Sequence, residues 1–248
     1  MKIPLSVIGS GTNLLVGDGG IRGITVKLGR VFDYVKFKND GIVLGGTTQI
    51  RKLLDASMRK GLGGLEFLFG LPGSMGGAVI GNAGFPRKSI GDFVDYVKII
   101  DFSGRNTIIK KKCLKFYYRG SSLKGRKLII TEVKISGFKN TDPDVINERK
   151  KLVLSWRRMA QPIELPSSGC IFKNPVLAPA GLLVDLAGLR GIRSGGAFVS
   201  GKHANFIVNC GNSKAKDITK LIDIIRKKVR SLFHAKLELE LQKIGVFK

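Results

Sequence analysis

The sequence predicts an α+β fold of two domains, residues 1–139 and 140–248, from three observations. Short β-branched runs and helical patterns follow one another without the strict alternation of strand and helix that a doubly wound sheet requires. Hydrophobic residues make up 43% of the 248 residues, which is enough to bury a core. The dipeptide Asp142-Pro143 begins a helix near the predicted boundary, because Pro is well tolerated at the first helical position.

β-Branched runs predict strands, and hydrophobic residues at helical spacing predict three helices. The strands are expected at residues 24–28, 42–44, 94–102 and 128–135. The first helix is expected to follow Thr48 as N-cap and to end at Gly61, and the second to run from Pro143 towards Pro162. The apolar face of the third helix is formed by Ile218, Leu221, Ile222, Ile225, Val229 and Leu232.

The closing segment LELELQK changes to a period of two. Leu237, Leu239 and Leu241 alternate with Glu238 and Glu240, so we expect a strand that buries its leucines and places both carboxylates on the opposite face. On this pattern alone, either glutamate is an exposed strand carboxylate, which is the common fate of Glu.

The chain is strongly basic, since 43 Lys and Arg against 18 Asp and Glu give a net charge of +25. Clustered basic residues are typical of proteins that bind nucleic acid. A positive field also attracts small anionic ligands without specific contacts. Both interpretations of the charge stay open at this point.

The composition excludes several classes of protein. Cys113, Cys170 and Cys210 lie far apart and are odd in number, so neither a disulfide framework nor a zinc site is expected. With two His residues and no HExxH spacing, no metal centre is expected. No apolar run reaches the roughly 18 residues of a membrane span, and no signal peptide is recognisable, so we expect a cytoplasmic protein without membrane contact.

The 33 glycines are concentrated at residues 9–23, 61–84 and 181–201, which suggests loops that hold ligands. The turn at residues 9–14 follows a short strand and can form a nest for a diphosphate. It does not fit the dinucleotide fingerprint GxGxxG, because Leu14 replaces the third glycine. Residues 196–203 have P-loop spacing, but His203 stands where Ser or Thr would ligate magnesium, so an NTPase is not expected.

The segment GLEFLFGLPGSMGGAVIGNAG, residues 64–84, allows two interpretations. Its glycines could serve only a tight turn and a small-residue helix packed closely on a sheet. Together with the first glycine loop, they could instead line a second turn whose main-chain donors hold a flavin dinucleotide.

Six segments of the chain resemble, in order, the signatures of a known family. They are GSGTNLLVGDGG, the segment at residues 64–84, FYYRGSS, QPIELPSSGCIFKNP, AGLLVDLAGLRG and GGAFVSGKHANFIVN. Together they span essentially the whole chain, which is similar on these motifs to the UDP-N-acetylenolpyruvoylglucosamine reductase (MurB) family.

The resemblance implies a two-domain flavoenzyme with a vanillyl-alcohol-oxidase (PCMH) type FAD-binding domain and a smaller MurB-type substrate domain. In this family FAD takes a hydride from NADPH and passes it to C3 of UDP-N-acetylglucosamine enolpyruvate, and an acid protonates C2 to give UDP-N-acetylmuramate for peptidoglycan. Because only eight residues precede Gly9, we expect an FAD domain shortened at its N-terminus, and we expect a monomer. The alternatives are an inactive remnant without FAD or a basic nucleic-acid-binding protein.

The resemblance also implies residues that bind the cofactor and the substrate. Tyr118, Lys173 and Asn174 are implied substrate contacts, and Ser200, His203 and Asn205 are expected to shape the same cleft, with no chemistry for His203. The implied cofactor-binding residues are Gly9, Ser10, Gly11, Thr12, Asn13, Leu14, Gly70, Pro72, Gly73, Ser74, Gly76, Gly77, Asn82 and Gly84.

Three residues, Arg119, Cys170 and Glu240, match the catalytic positions of the family. Arg119 is expected to grip the substrate carboxylate while negative charge builds there. Without the other motifs, residues 110–120 would indicate a solvated basic strand or a surface for single-stranded nucleic acid. Glu240 matches the family's C-terminal catalytic glutamate.

Cys170 stands where the family usually has a serine that gives its proton to C2. An ordinary thiol, with a pKa of about 8.5, is mostly protonated at neutral pH and is a better acid than an alcohol. The resemblance therefore implies that Cys170 is the general acid. The alternative is a small buried free cysteine.

Overall fold

The computed structural model describes residues 3–85 and 87–247 and confirms the mixture of helices and sheets of an α+β fold. The α-helices are α1 (Ile50–Arg59), α2 (Met75–Gly81), α3 (Pro143–Ala160), α4 (Ala180–Leu186) and α5 (Ala215–Phe233). The strands are β1 (Leu5–Val7), β2 (Leu14–Val16), β3 (Ile24–Val26), β4 (Val35–Lys38), β5 (Gly41–Gly45), β6 (Leu62–Gly63), β7 (Gly84–Phe85), β8 (Lys88–Ser89), β9 (Val94–Asp101), β10 (Asn106–Lys110), β11 (Phe116–Tyr117), β12 (Gly120–Ser121), β13 (Leu128–Ile135), β14 (Lys139–Asn140), β15 (Ser167–Cys170), β16 (Arg193–Ser194), β17 (Ala197–Val199), β18 (Phe206–Asn209) and β19 (Gln242–Ile244).

The chain forms two compact units. The N-terminal unit comprises residues 7–10 and 26–155, and the C-terminal unit comprises the described residues among 1–6, 11–25 and 156–248. This grouping differs from a single boundary at 139/140, because β2 pairs in parallel with β19 near the end of the chain and so joins the C-terminal unit. It also places most of α3 in the N-terminal unit.

The N-terminal unit is built on a five-stranded antiparallel sheet in the order β10-β9-β13-β5-β4. Side chains alternate between the two faces of a strand, and on β13 Leu128 and Ile130 are buried first. A register shift after Ile130 changes the alternation, so that Val133 and Ile135 are the next buried hydrophobic residues. They share a hydrophobic core with buried residues of α1 and α2, such as Leu53 of α1.

The C-terminal unit contains a four-stranded antiparallel sheet in the order β15-β18-β17-β16. Its core includes Leu183 and Val184 of α4 and residues on one face of α5, among them Leu221, Ile225 and Val229. In the parts of the chain that the structure describes, no helix combines the length and the apolar composition needed to cross a lipid bilayer.

The first predicted helix is confirmed as α1, but its N-cap prediction is wrong. The N-cap residue is Gln49, and the Thr48 side chain is used elsewhere. Thr48 Oγ1 accepts a hydrogen bond from Tyr34 N at 3.1 Å and donates one to Tyr34 O at 2.8 Å. Gly61 ends the helix as expected, with a positive φ of 66° that favours glycine.

The predictions for the last third of the chain are confirmed in part. The third helix is confirmed as α5, except that Leu232 is 48% exposed and does not belong to the buried face. The predicted burial of the closing leucines is confirmed for Leu237 and Leu241, each 3% exposed, whereas Leu239 is only half-buried, like Glu240. The strand itself starts later than expected, because β19 begins at Gln242 and Leu239 forms only an isolated bridge with Phe172.

Candidate active site

Arg119 lies in the N-terminal unit, where its backbone and side chain are both constrained. Its φ of +56° is in the left-handed region, which is uncommon for a residue other than glycine. Its Nη1 donates a hydrogen bond to Gly84 O at 2.7 Å, and its guanidinium carbon lies 5.5 Å from the centre of the Tyr118 ring. The structure thus brings Arg119 and Tyr118 together with Gly84, a predicted cofactor-binding residue.

Asn82 connects the end of α2 to the segment that carries Arg119. It is the left-handed C-cap residue of α2 and is 7% exposed. Its Nδ2 donates to Tyr117 O at 3.0 Å, and its Oδ1 accepts from Gly91 N at 3.0 Å. A buried amide with both ends bonded is well satisfied. Asn82 therefore holds the backbone at Tyr117, two residues before Arg119. A contact between Asn82 and the cofactor stays a prediction.

Gly9 and Ser74 form a backbone-lined cradle in the N-terminal unit. A Cβ atom built on Gly9 would lie 2.9 Å from Ser74 Oγ, closer than side chains normally approach. Ser74 Oγ in turn accepts a hydrogen bond from Gly77 N at 3.4 Å. Gly70 and Gly73 shape the same turn with positive φ values of 78° and 133°. Both glycine loops predicted to hold the cofactor therefore contribute to one cradle.

A third loop, residues 46–49, also reaches the cradle and lies outside the two glycine loops predicted to hold the cofactor. Its backbone carbonyls accept hydrogen bonds from the other loop, from Met75 N to Thr48 O at 2.8 Å and from Gly76 N to Gly46 O at 2.9 Å. The Gly45-Gly46 doublet before α1 is the signal that could have indicated it. Within the described chain, Thr47 Oγ1 is buried and has no hydrogen-bond partner.

The cradle fits the diphosphate of FAD. Glycine backbone and hydroxyl groups are the groups that anion-binding turns use, and a buried hydroxyl without an acceptor needs one. Gly9 and Ser74 bring backbone and hydroxyl groups together, and Thr47 adds the hydroxyl that lacks a partner.

In the C-terminal unit, Cys170 ends β15 at a point where the ladder is interrupted. Gly169 precedes it with a positive φ of 79°, and the pairing with β18 shifts register between Ser167 and Cys170. Such an irregularity redirects the side chain that follows it, and these features are frequent beside active sites. Cys170 is half-buried.

Glu240 lies alongside the residue that follows Cys170. Its backbone N–H donates to Ile171 O at 2.9 Å. Its carbonyl accepts a hydrogen bond from Asn13 Nδ2 at 3.2 Å, so a residue of the first glycine loop also reaches this segment. The C-terminal unit therefore brings together Cys170, Glu240 and Asn13, which were predicted from three distant motifs.

The two residues of FKNP that are predicted to contact substrate have defined partners. Lys173 Nζ lies 3.3 Å from Glu238 Oε2, and Lys173 N donates to Glu238 O at 2.9 Å. Asn174 Oδ1 accepts a hydrogen bond from Ala180 N at 3.0 Å at the start of α4. Lys173 is thus bonded to the same closing segment that carries Glu240, two residues away from it. Asn174 instead orients the start of α4. Their contacts with substrate stay predictions.

Asn205 and His203 have structural roles in the C-terminal unit. Asn205 is 3% exposed, and its Oδ1 accepts from Phe172 N at 2.9 Å while its Nδ2 donates to Phe172 O at 2.8 Å. His203 Nδ1 accepts from Asn205 N at 3.2 Å, and burial lowers the pKa of His203 from its usual range. A strand, β18, follows His203, so residues 196–203 do not lead into the helix that a P-loop requires.

The chain is similar to known proteins along its length. Residues 1–109 match the family described as "FAD binding domain", and residues 161–244 match "UDP-N-acetylenolpyruvoylglucosamine reductase, C-terminal domain". The chain is 39% identical over 246 residues to the UDP-N-acetylenolpyruvoylglucosamine reductase of Wolbachia sp. subsp. Brugia malayi, covering 98% of this chain and 83% of that protein. It is 41% identical over 243 residues to the enzyme of the same name from Moorella thermoacetica, covering 98% and 80% of the two chains.

A solved structure gives the same result. The crystal structure of UDP-N-acetylenolpyruvylglucosamine reductase (MurB) from Thermus caldophilus superposes with a TM-score of 0.83 at 34% identity, covering 98% of this chain and 86% of that one. Sequence and fold therefore agree over both units. The chain belongs to the UDP-N-acetylenolpyruvoylglucosamine reductase (MurB) family.

Proposed function

We propose that this chain is an FAD-dependent reductase that converts UDP-N-acetylglucosamine enolpyruvate to UDP-N-acetylmuramate, with NADPH as the hydride donor. The observation that supports this function most is the pairing of the segment after Cys170 with Glu240, through the hydrogen bond from Glu240 N to Ile171 O. It brings together, in one unit, the two residues proposed to handle protons. The reductase names of its relatives support the same substrate.

The cradle of the N-terminal unit is proposed to hold the diphosphate of FAD through Gly9, Ser10 and the turn at residues 70–77. The remaining residues of the first glycine loop, 11–14, are also proposed to bind the cofactor. The Asn13 side chain is held by its hydrogen bond to Glu240 O. FAD, when bound, supplies the hydride chemistry between NADPH and C3 of the enolpyruvyl group. The protein contributes orientation, charge and protons to this reaction.

Cys170 is proposed to give its thiol proton to C2 of the substrate as the hydride arrives at C3. The S–H bond breaks, the C2–H bond forms, and the thiolate takes back a proton from solvent. A thiol suits this role because it is protonated at neutral pH yet acidic enough to give up its proton. The position of Cys170 at an interrupted strand supports the assignment.

Arg119 and Glu240 are proposed to manage the charge of the reaction. The Arg119 guanidinium stabilises the negative charge that builds on the substrate carboxylate, with Tyr118 as a neighbouring substrate contact. Glu240 assists proton transfer at C2. Lys173 and Asn174 are proposed to contact the diphosphate and uridine of the substrate. Cytoplasmic location and a monomeric state stay predictions.

The first experiment is to load the purified chain with FAD, reduce it with NADPH and follow reoxidation by the enolpyruvyl substrate from the visible absorption. Cys170→Ala is expected to slow reoxidation by about 10² to 10⁴-fold, the usual contribution of a general acid. Cys170→Ser is expected to restore most of the rate, because a hydroxyl can supply the same proton. Reduction by NADPH should be unchanged in both variants.

Cys210→Ala is the matched control, because Cys210 is an exposed thiol of the same unit. It should reoxidise as fast as the unmodified chain. A wild-type chain that retains no FAD, or that is not reoxidised by the enolpyruvyl substrate, would refute the reductase. Unchanged reoxidation in Cys170→Ala would remove Cys170 from the mechanism and leave the rest of the proposal standing.

A further inference from the structure

We propose that Gln49 is a positioning residue for FAD binding, which acts by orienting the hydroxyl of Ser10 towards the anionic part of the cofactor. This inference rests on the proposed function, because it assumes that the cradle holds the diphosphate. Gln49 belongs to the loop at residues 46–49, which lies outside the motifs that predicted the site.

The hydrogen bonds of Gln49 fix which end of its side-chain amide faces Ser10. Gln49 Nε2 donates a long hydrogen bond to Thr47 O at 3.3 Å, and because a carbonyl can only accept, this contact favours the nitrogen on this side. The same Nε2 lies 3.1 Å from Ser10 Oγ, within the usual range for an N–H donor and an oxygen acceptor. Ser10 Oγ therefore accepts from Gln49.

The proton of the Ser10 hydroxyl is left for another acceptor. Its contact with Gln49 Oε1 is 3.4 Å, which is long for an O–H donor, since such bonds are normally about 2.5 to 3.0 Å. A hydroxyl has one proton to donate and two lone pairs. When its oxygen accepts from Nε2, the proton can turn towards a phosphate oxygen.

Ser10 and Gln49 lie at the cradle itself. Gly9, the neighbour of Ser10, makes the close approach to Ser74 Oγ, and Gln49 forms an isolated β-bridge with Ser74. Gln49 is exposed and Ser10 half-buried, so a ligand can reach the hydroxyl. Within the described residues, the Thr47 hydroxyl of the same loop is buried and has no hydrogen-bond partner.

The side chain of Gln49 is not needed for the helix that follows it. Gln49 is the N-cap residue of α1, but its side chain makes no capping hydrogen bond. Its removal should therefore leave α1 and the fold intact. A purely structural role of Gln49 thus predicts a change in the thermal midpoint of the apoprotein. A role in cofactor binding predicts a change in the FAD Kd alone.

The test is a titration of apoprotein with FAD, followed by flavin fluorescence, together with the thermal midpoint of the apoprotein. Gln49→Ala and Gln49→Met, which keeps the length of the side chain but cannot donate, are each expected to weaken the FAD Kd by about 3- to 10-fold, the range for one hydrogen bond. The apoprotein midpoint should not change. In a Ser10→Ala background, Gln49→Ala should cause no further loss, because its effect passes through Ser10.

Arg51→Ala is the matched control, since Arg51 lies on the first turn of the same helix with its side chain 91% exposed. It should bind FAD like the wild type. An unchanged Kd in Gln49→Ala, with normal binding by the wild type, overturns this inference and leaves the reductase intact. Full additivity of Gln49→Ala and Ser10→Ala also overturns it. A wild type that does not bind FAD overturns both proposals.

Discussion

The backbone and the guanidinium of Arg119 are both held in place, which bears on the catalytic role proposed for this residue. Its backbone is left-handed, and Nη1 is directed by the bond to Gly84 O. A guanidinium presents several donors in a rigid plane, whereas an ammonium is a flexible point charge that cannot bond Gly84 and a carboxylate in the same geometry. The shape of the Arg119 side chain should therefore matter as much as its charge.

Arg119→Lys is expected to lower kcat by about 10²-fold, the loss seen when one donor to a developing anion is removed. Flavin content and the rate of reduction by NADPH should be unchanged, because the substrate carboxylate is absent from that half of the reaction. Stopped-flow measurement of the two half-reactions separates these effects.

Arg126→Lys is the control for this substitution, since Arg126 is an exposed residue of the same unit. Its two half-reactions should match those of the wild type. Wild-type reoxidation in Arg119→Lys would show that the positive charge alone is sufficient and that the fixed guanidinium has no catalytic role.

At the scale of elements, Asn205 joins the segment after β15 to the start of β18. Its amide makes two hydrogen bonds with the backbone of Phe172, and all four polar atoms of these bonds are removed from water. Asn205→Ala should destabilise the protein by roughly 2 to 4 kcal/mol, because it leaves a buried N–H and a buried C=O without partners. Denaturant unfolding followed by circular dichroism measures the change.

Asn205→Asp keeps the acceptor for Phe172 N and loses only the donor, but it also buries a charge. We therefore expect it to be at least as unstable as Asn205→Ala. Asn212→Ala, at an exposed position of the same unit, should change stability by less than about 0.5 kcal/mol. Equal stability of Asn205→Ala and Asn212→Ala would show that water replaces the lost bonds.

The elements that local pattern specifies were predictable from the sequence. α1, α3 and α5 have clear apolar periodicity, and the strands β5, β9 and β13 are β-branched runs that lie within or close to the expected residues. The expected strand at the closing leucines shows the limit. The alternation of Leu237 and Leu241 gives their burial, but pairing of β19 with β2 depends on a partner more than two hundred residues away.

The candidate site was predictable only where a motif carried the resemblance. Cys170, Arg119 and both glycine loops lie in such motifs. Thr48 shows how the prediction failed elsewhere, since a hydroxyl before a helix normally indicates an N-cap, yet here it bonds to Tyr34 from a separate strand region. A hydrogen bond to a residue distant in sequence leaves no local sequence pattern. The role of the loop at residues 46–49 is therefore visible only in its hydrogen bonds to other loops.

At the scale of the whole molecule, the net charge of +25 is expected to act on association with anionic ligands. Basic side chains lie on solvent-exposed surfaces, for example Lys216, Lys220 and Lys227 of α5. A positive field increases the encounter rate of anions without specific contacts, and salt screens it with a Debye length of about 10 Å at 0.1 M.

We therefore expect kcat/KM for the enolpyruvyl substrate to fall at least several-fold between 20 and 300 mM NaCl, while kcat stays nearly constant. Steady-state assays across this range test the prediction, and flavin absorbance after desalting at each salt concentration is the control, because flavin enclosed by main-chain donors should remain bound. A salt-independent kcat/KM would show that the charge does not assist substrate capture. If the chain instead bound a single-stranded oligonucleotide with an affinity that fell steeply with salt, the charge would serve phosphate-backbone binding.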